Sequence, residues 1–204
     1  MYFLQIVLLC LFSYLIGSIP FAYLVGKLLK NIDIRQYGSG NIGSTNTLRV
    51  VGKKGAALVF LADFGKGFLA AYLGLQLGGP TIGIVTGLIA VLGHIFPVWF
   101  KFKGGKGAAA GIGAVAAIFP MMALILVSIW ILTLLVTGYV SLSTVLAAAV
   151  GEIYIFIADF DWLSIAILSP VILIVIIRHI GNLKRICKGQ EYKFFRKNSS
   201  QAEK

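Results

Sequence analysis

Long apolar runs alternate with short polar stretches along most of the chain. A membrane-spanning helix needs about 20 mostly apolar residues. Seven segments are read as spans, at roughly 3–26, 55–77, 81–100, 107–119, 121–137, 140–158 and 162–180. The fourth is short and rich in small residues (GAAAGIGAVAAIF), and Pro120 separates it from the fifth. The pattern predicts an all-α integral membrane protein of about seven transmembrane helices, forming one polytopic domain over 1–204. Its motif-bearing loops are expected at about 31–54, 101–107, 138–144 and 178–204. The first run has no basic segment ahead of it and no small-residue cleavage site before Lys27. It therefore reads as an uncleaved spanning helix rather than a signal peptide.

Composition agrees with that pattern. Of 204 residues, 59% are hydrophobic and 12% are charged, about half the charged share of a soluble domain. The two cysteines, Cys10 and Cys187, lie at opposite ends of the chain and suggest neither a disulfide framework nor a metal motif.

The net charge of +11 would suggest nucleic acid as partner in a soluble protein. Here the positions of the basic residues point elsewhere. With the N-terminus outside, loop 27–54 falls inside with Lys27, Lys30, Arg35, Arg49, Lys53 and Lys54. Lys101, Lys103 and Lys106 fall inside too, as do Arg178, Lys184, Arg185, Lys188, Lys193, Arg196, Lys197 and Lys204. Only Lys66 remains, within the second span, while Asp159 and Asp161 occupy an outer loop. This positive-inside distribution predicts an outer N-terminus and a cytoplasmic C-terminus. Glycine pairs four apart, Gly74/Gly78, Gly83/Gly87 and Gly107/Gly111, are read as helix-packing positions.

The inner stretches carry the candidate chemistry. Residues 38–43, GSGNIG, match the dinucleotide fingerprint in form. They follow a membrane helix and a charged linker, so no βαβ unit can be built around them. Small residues still let a backbone approach an anion and point N–H groups at it. Ser39, Ser44, Thr45 and the amides of Asn41 and Asn46 add donors, and Arg49 adds a bidentate charge suited to phosphate. The second stretch ends in Gly104-Gly105-Lys106-Gly107. It fails the Walker A spacing, but it sets Lys106 among flexible glycines at the inner start of a helix, a favourable place for an anion. Lys101 and Lys103 read as surface anchors, and His94 as a hydrogen-bonded structural histidine.

The third stretch runs from Arg178-His179 to Asn182 and Arg185, then Gly189 and Glu191. If the helix continues, His179 and Asn182 share a face. Ser141 and Thr144 bring hydroxyls to the start of the sixth span. Asp63 and Lys66, three apart in the second span, are either a paired strut or part of a site. Glu152 lies mid-span with no partner evident from the sequence. Three glycine-and-basic stretches on one side of the membrane point to one anionic-substrate site at the cytoplasmic surface. Flanking apolar helices would let one substrate enter from lipid.

These motifs bear a family likeness. Ser39-Gly40-Asn41-x-Gly43-x-Thr45-Asn46-x-x-Arg49, Gly93-His94-x-x-Pro97 with Phe102-Lys103-Gly104-Gly105-Lys106-Gly107, and Arg178-His179-x-x-Asn182-x-x-Arg185 with Gly189-x-Glu191 resemble the bacterial acyl-phosphate:glycerol-3-phosphate acyltransferase family. The likeness covers nearly the whole chain. One departure is Ala108-Ala109-Ala110, where the family commonly has valine-alanine-threonine; a threonine hydroxyl is missing there.

The resemblance implies a multi-pass enzyme of the bacterial inner membrane, active at its cytoplasmic face. It implies acyl transfer from acyl phosphate to the 1-hydroxyl of glycerol 3-phosphate, giving lysophosphatidic acid and phosphate, the first step of phospholipid biosynthesis. Ser39, Arg49, His179 and Asn182 become the expected catalytic residues. Gly40, Asn41, Thr45, Asn46, Gly104, Gly105, Lys106, Gly107, Ser141 and Thr144 become the expected substrate-binding residues. Asp63, Lys66 and Glu191 are expected to support them. The expected partners are the two substrates and the lipid bilayer, not nucleic acid. No cofactor or metal is expected, and the protein is expected to be a monomer.

The residue types suit that chemistry. A mixed anhydride carries a good leaving group and needs no covalent acyl-enzyme. The protein must hold two phosphates together, place the hydroxyl about 3–3.5 Å from the acyl carbon, accept a proton and stabilise an oxyanion. His179 is the candidate for orienting the hydroxyl or accepting its proton; Asn41, Asn46 and Asn182 are candidate oxyanion donors. The His-x-x-x-x-Asp element of many acyl-CoA-dependent glycerolipid acyltransferases is missing, since Trp99 follows His94 and Lys184 follows His179 at that spacing. The rival readings are a transporter for a phosphorylated metabolite, with Asp63, Lys66 and Glu152 lining a path, and an anionic-lipid-binding scaffold. Short outer loops and polar residues gathered inside disfavour the first; the glycine spacing disfavours the second.

Overall fold

The computed structural model describes residues 2–158 and 160–195. Asp159, Arg196, Lys197 and Lys204, used above to read orientation, lie outside them. The described residues form helices, turns and irregular segments, with no strand among them. In chain order the helices are α1 (Tyr2–Gly17), α2 (Phe21–Lys30), α3 (Ser44–Val50), α4 (Lys53–Ile95), α5 (Ala108–Ile118), α6 (Pro120–Thr137), α7 (Val140–Ile157), α8 (Trp162–Ile177) and α9 (Ile180–Cys187).

Five stretches are long and apolar enough to cross a membrane: Phe3–Lys30, Lys53–Phe100, Pro120–Thr137, Val140–Ile157 and Trp162–Cys187. Three differences from the sequence reading have local causes. The first run is broken at residues 18–20, because Pro20 has no N–H to continue the ladder. Residues 55–77 and 81–100 do not stand apart across a loop but belong to one run, interrupted only where Gly79 takes φ 78° ahead of Pro80. That left-handed conformation is open to glycine, and it folds α4 back on itself. Thr86 Oγ1 on the second arm donates to Ala70 O on the first at 2.9 Å, and Gly74 lies against Gly83 with no room for a side chain. The third difference is α5, whose 11 residues rise only about 16 Å.

The α4 hairpin is the centre of the molecule. It packs against α1, α5 and α8, while α6 and α7 pair with each other and α7 with α8. Ile84, Met122, Leu126, Ala147, Ile155 and Leu168 form the main buried cluster between these helices. A second cluster of Ala22, Ile34, Ile42 and Val59 lies under the 31–43 loop. Ile34 and Ile42 nail that polar segment to α2 and α4, and burial of such a side chain is worth about 1.5–3 kcal/mol. Asp161 caps α8 by accepting from Ser164 N at 3.0 Å and Ser164 Oγ at 2.5 Å. Glu152 does have a partner across the helix pair: Ser169 of α8 donates to it.

Candidate active site

The three polar stretches meet on one cavity of about 770 Å³. Ser39, Gly40 and Asn41 form one wall, Lys103, Gly104 and Lys106 another, and Arg178, Asn182 and Arg185 a third. Arg35, Trp99 and Lys101 complete its rim, and none of the residues lining it is acidic.

Each wall is positioned by its own local chemistry. In the 31–43 loop, Asn46 Oδ1 accepts from Ser39 N at 2.9 Å. The Asn46 amide donates to Ile34 O and Tyr37 O at 3.3 and 3.1 Å. All of Asn46's polar capacity for donation is thus spent inside the loop, and the residue is buried. The expected substrate ligand has a structural task instead: it shapes the turn that presents Ser39. The Ser39 hydroxyl oxygen accepts from the backbone N–H of Asn41 at 3.5 Å. Thr45 stands in the first turn of α3, away from the cavity lining.

The glycine loop is clipped from two sides. Gly104 N and Gly105 N donate to Ile95 O and His94 O, both at 3.0 Å. Arg178 donates through one terminal nitrogen to Gly104 O at 3.1 Å and Gly105 O at 3.0 Å. Gly105 lies against the Nε2 edge of the His94 imidazole, and a Cβ there would overlap that ring and approach Ile42 O to 2.7 Å. His94 is in turn held by Asp63, Nδ1 to Oδ1 3.3 Å. Asp63 also pairs with the Lys66 ammonium at 2.7 Å, and Lys66 donates to Ile19 O at 3.0 Å. This buried chain of charges therefore ends beneath the glycine loop. Gly107, with φ 89°, turns the backbone into α5.

The third wall departs from the expected continuous helix. α8 ends at Ile177 and α9 begins at Ile180, so His179 sits at the joint and accepts from Asn182 N at 2.9 Å. His179 Nδ1 lies 2.7 Å from Val175 O. A carbonyl only accepts, so Nδ1 carries the proton and Nε2 of the neutral ring is left with a lone pair. Asn182 links two groups: its Oδ1 accepts from Lys106, and its Nδ2 donates to Glu191 Oε1 at 2.8 Å. The other Glu191 oxygen accepts from Arg185 Nε at 2.8 Å. An Arg49 terminal nitrogen approaches Glu191 to 3.8 Å, and its guanidinium lies 4.3 Å from the Tyr192 ring centre.

Electrostatics follow from this placement. Burial pushes the Lys106 ammonium down to about 8. Glu191 works against that shift, while Arg185, Arg49 and Arg178 add to it. Burial likewise lowers Arg49, opposed by Glu191 and Tyr192. A site with this much positive charge and one carboxylate, already bonded behind the wall, is built to take anions.

Not every expected residue reaches the cavity. Arg49, Gly107, Gly105 and His179 are not among the residues that line it. Ser141 and Thr144 do not line it either. Thr144 Oγ1 donates to Val140 O at 2.9 Å and accepts from Trp130 Nε1 at 3.2 Å, which ties α6 to α7. Conversely, the sequence presents Arg178 and Arg185 only as parts of a motif and gives Arg35 and Trp99 no site role. The signal for Arg178 was present in the pair Arg178-His179 at the inner end of a span; nothing in the sequence marked Trp99.

The fold and cavity define a class: a multi-pass membrane protein of helices with a cationic pocket where three polar stretches converge. A family model described as glycerol-3-phosphate acyltransferase matches residues 7–189. The chain is 42% identical to a glycerol-3-phosphate acyltransferase of Staphylococcus haemolyticus over 202 residues, with 93% of this chain and 98% of the relative covered. It is 46% identical to glycerol-3-phosphate acyltransferase 2 of Bacillus anthracis over 187 residues, covering 92% and 98%. Among solved structures it resembles PlsY, an integral membrane glycerol 3-phosphate acyltransferase, in its glycerol 3-phosphate form. The TM-score is 0.88 at 38% identity, over 93% of this chain and 96% of that one. The chain belongs to the glycerol-3-phosphate acyltransferase family.

Proposed function

We infer that this protein transfers a fatty acyl group to the 1-hydroxyl of glycerol 3-phosphate, giving lysophosphatidic acid, with acyl phosphate as the donor. The observation that carries this reading is the convergence of Ser39, Lys106, Arg178, Asn182 and Arg185 on one cavity whose lining holds no acidic residue. Such a pocket can hold two phosphates side by side, because surplus cations offset a repulsion that would otherwise be costly.

The reaction needs little covalent help. The acceptor oxygen attacks the acyl carbonyl carbon and forms the ester bond. The anhydride C–O bond breaks, and phosphate leaves with the electron pair. The hydroxyl proton passes to Nε2 of His179. Lys106 holds the glycerol 3-phosphate end together with Arg49, which reaches it from beside the lining; Ser39 and Asn41 face the reacting centre. Asn182 gives up its bond from Lys106 when phosphate takes that ammonium, and Glu191 keeps it oriented. Asp63 and Lys66 support the glycine loop through His94. No metal or cofactor has a part in these steps.

The chain forms one polytopic domain in the bacterial inner membrane, as a monomer. The two arms of α4 and the short α5 complete seven crossings, with the N-terminus outside and the pocket at the cytoplasmic face. The positions of the basic residues support that orientation.

Two experiments test this reading. Purified protein is offered labelled glycerol 3-phosphate with acyl phosphate, acyl-CoA or acyl carrier protein thioester. Lysophosphatidic acid is expected from acyl phosphate alone; equal product from a thioester would overturn the donor. Cys187 is exposed, so an impermeant maleimide should label it in inverted vesicles and not in intact cells. The opposite result would reverse the topology.

A further inference from the structure

We propose that Tyr192 is a positioning residue for Arg49, holding its guanidinium in the plane that a substrate phosphate requires. The proposal rests on the reading of Arg49 as a phosphate ligand.

The Arg49 guanidinium carbon lies 4.3 Å from the Tyr192 ring centre, well inside the range of a cation–π contact. Its nearest carboxylate oxygen, on Glu191, is 3.8 Å away. That is close enough to attract and too far for a hydrogen bond. Both Glu191 oxygens already accept bonds at 2.8 Å, from Asn182 and Arg185. Glu191 therefore pulls on Arg49 without fixing how it is turned. The ring does what the carboxylate cannot. A guanidinium carbon held over the ring at this distance lets the face meet the ring and leaves the N–H edge for a phosphate, which takes it in bidentate fashion.

The ring is itself held independently of Arg49. On one side of it, Gln190 N donates to Arg185 O at 2.8 Å; on the other, Phe194 N donates to Gly138 O at 2.7 Å. The Lys193 ammonium lies 5.4 Å from the Tyr139 ring centre. The segment carrying Tyr192 is thus strapped from α9 to the corner between α6 and α7. Arg49 comes from a separate short helix, α3, and its side chain keeps 20% of its surface open. Without the ring, that side chain must be ordered when substrate binds, and the cost appears in affinity rather than in the chemical step.

The test is a glycerol 3-phosphate saturation series at saturating acyl phosphate, with full-length protein in detergent. Tyr192→Phe keeps the ring face and is expected within about twofold of the unaltered protein. Tyr192→Leu keeps apolar volume but loses the face; its KM for glycerol 3-phosphate is expected to rise about fivefold to tenfold, with kcat within about threefold. Arg49→Lys keeps the charge without the plane. It should raise KM by itself, and Tyr192→Leu added to it should change KM less than about twofold further. An unchanged KM in Tyr192→Leu overturns the proposal. So does equal impairment in Tyr192→Phe, or a lowered melting temperature with kcat and KM lost together, since either marks a merely structural residue. Arg49→Lys with normal KM, in a protein that still makes lysophosphatidic acid, overturns the role of Arg49 and this proposal while leaving the reaction standing.

Discussion

Two clusters of buried charge stand near one another and serve opposite ends. The Asp63–Lys66–His94 cluster is closed: one carboxylate faces one ammonium and one imidazole, all of them buried. The cavity beside it is only about 10 Å³, room for about one water. The Glu191 cluster also has one carboxylate, but it is ringed by Asn182, Arg185 and Arg49, and through Asn182 it reaches Lys106. Beyond it opens a cavity of about 770 Å³ lined by further cations. Charge that is balanced and sealed holds a scaffold together. Charge that is in excess and open to a cavity waits for a counter-ion.

The difference can be broken first on the closed side. Asp63→Asn leaves the Lys66 ammonium buried against a neutral amide, and losing one partner of a buried pair costs about 3–5 kcal/mol. A marked fall in thermal stability is expected, and Asp63→Asn with Lys66→Met should recover most of it. A double variant no more stable than the single one would show that the pair is not a strut.

On the open side, Lys106→Met should leave melting almost unchanged while kcat/KM falls about 100-fold, the loss of a charged hydrogen bond worth about 3 kcal/mol. Initial-rate kinetics with glycerol 3-phosphate would decide it. Activity within a few-fold of normal would remove Lys106 from the site.

A pH profile sharpens the same contrast. Lys106 has its pKa lowered to about 8, so it is charged below that pH and neutral above it. The substrate phosphate, with its second pKa near about 6, is mostly dianionic above about pH 7. KM for glycerol 3-phosphate should be flat between about pH 7 and pH 8 and climb by up to about tenfold per unit above it. Lys106→Arg should remove the bend, because arginine keeps its charge. A bend that persists in that variant belongs to another group.

Gly105→Ala couples the two clusters, since its methyl must displace the His94 ring. A rise in KM of about tenfold is expected, from a strain of about 1–3 kcal/mol. The smallest effect is expected far from both: Trp130→Phe loses one bond to Thr144, about 1 kcal/mol of stability, with unchanged KM.

Much of this was legible from residue order alone. Apolar runs of spanning length must be helical in lipid, because a backbone there can bond only to itself. That argument located α6 and α7 to within a residue at each end, and the start of α8, whose end it overshot by three residues. It did not foresee the break at Pro20, and although it divided 55–77 from 81–100 where Gly79 turns the chain, it did not foresee that helix would run up to both sides of that single residue. The polar motifs of the site were likewise visible as glycines, hydroxyls and cations gathered on one side.

Residue order could not apportion tasks within those motifs. Asn46 looks like any other donor in its loop, yet its bonds turn inward to Ser39, Ile34 and Tyr37. Thr144 looks like a site hydroxyl, yet it joins two helices. Arg178 looks like one more cation of its motif, yet it clips Gly104 and Gly105. Composition and periodicity along the chain determine which segments enter the membrane and which types of group lie at its edge, since both are one-dimensional properties. Which of those groups faces the cavity, and which is spent holding its neighbours, depends on contacts between residues some seventy positions apart, such as Lys106 with Asn182, and these exist only once the helices have packed.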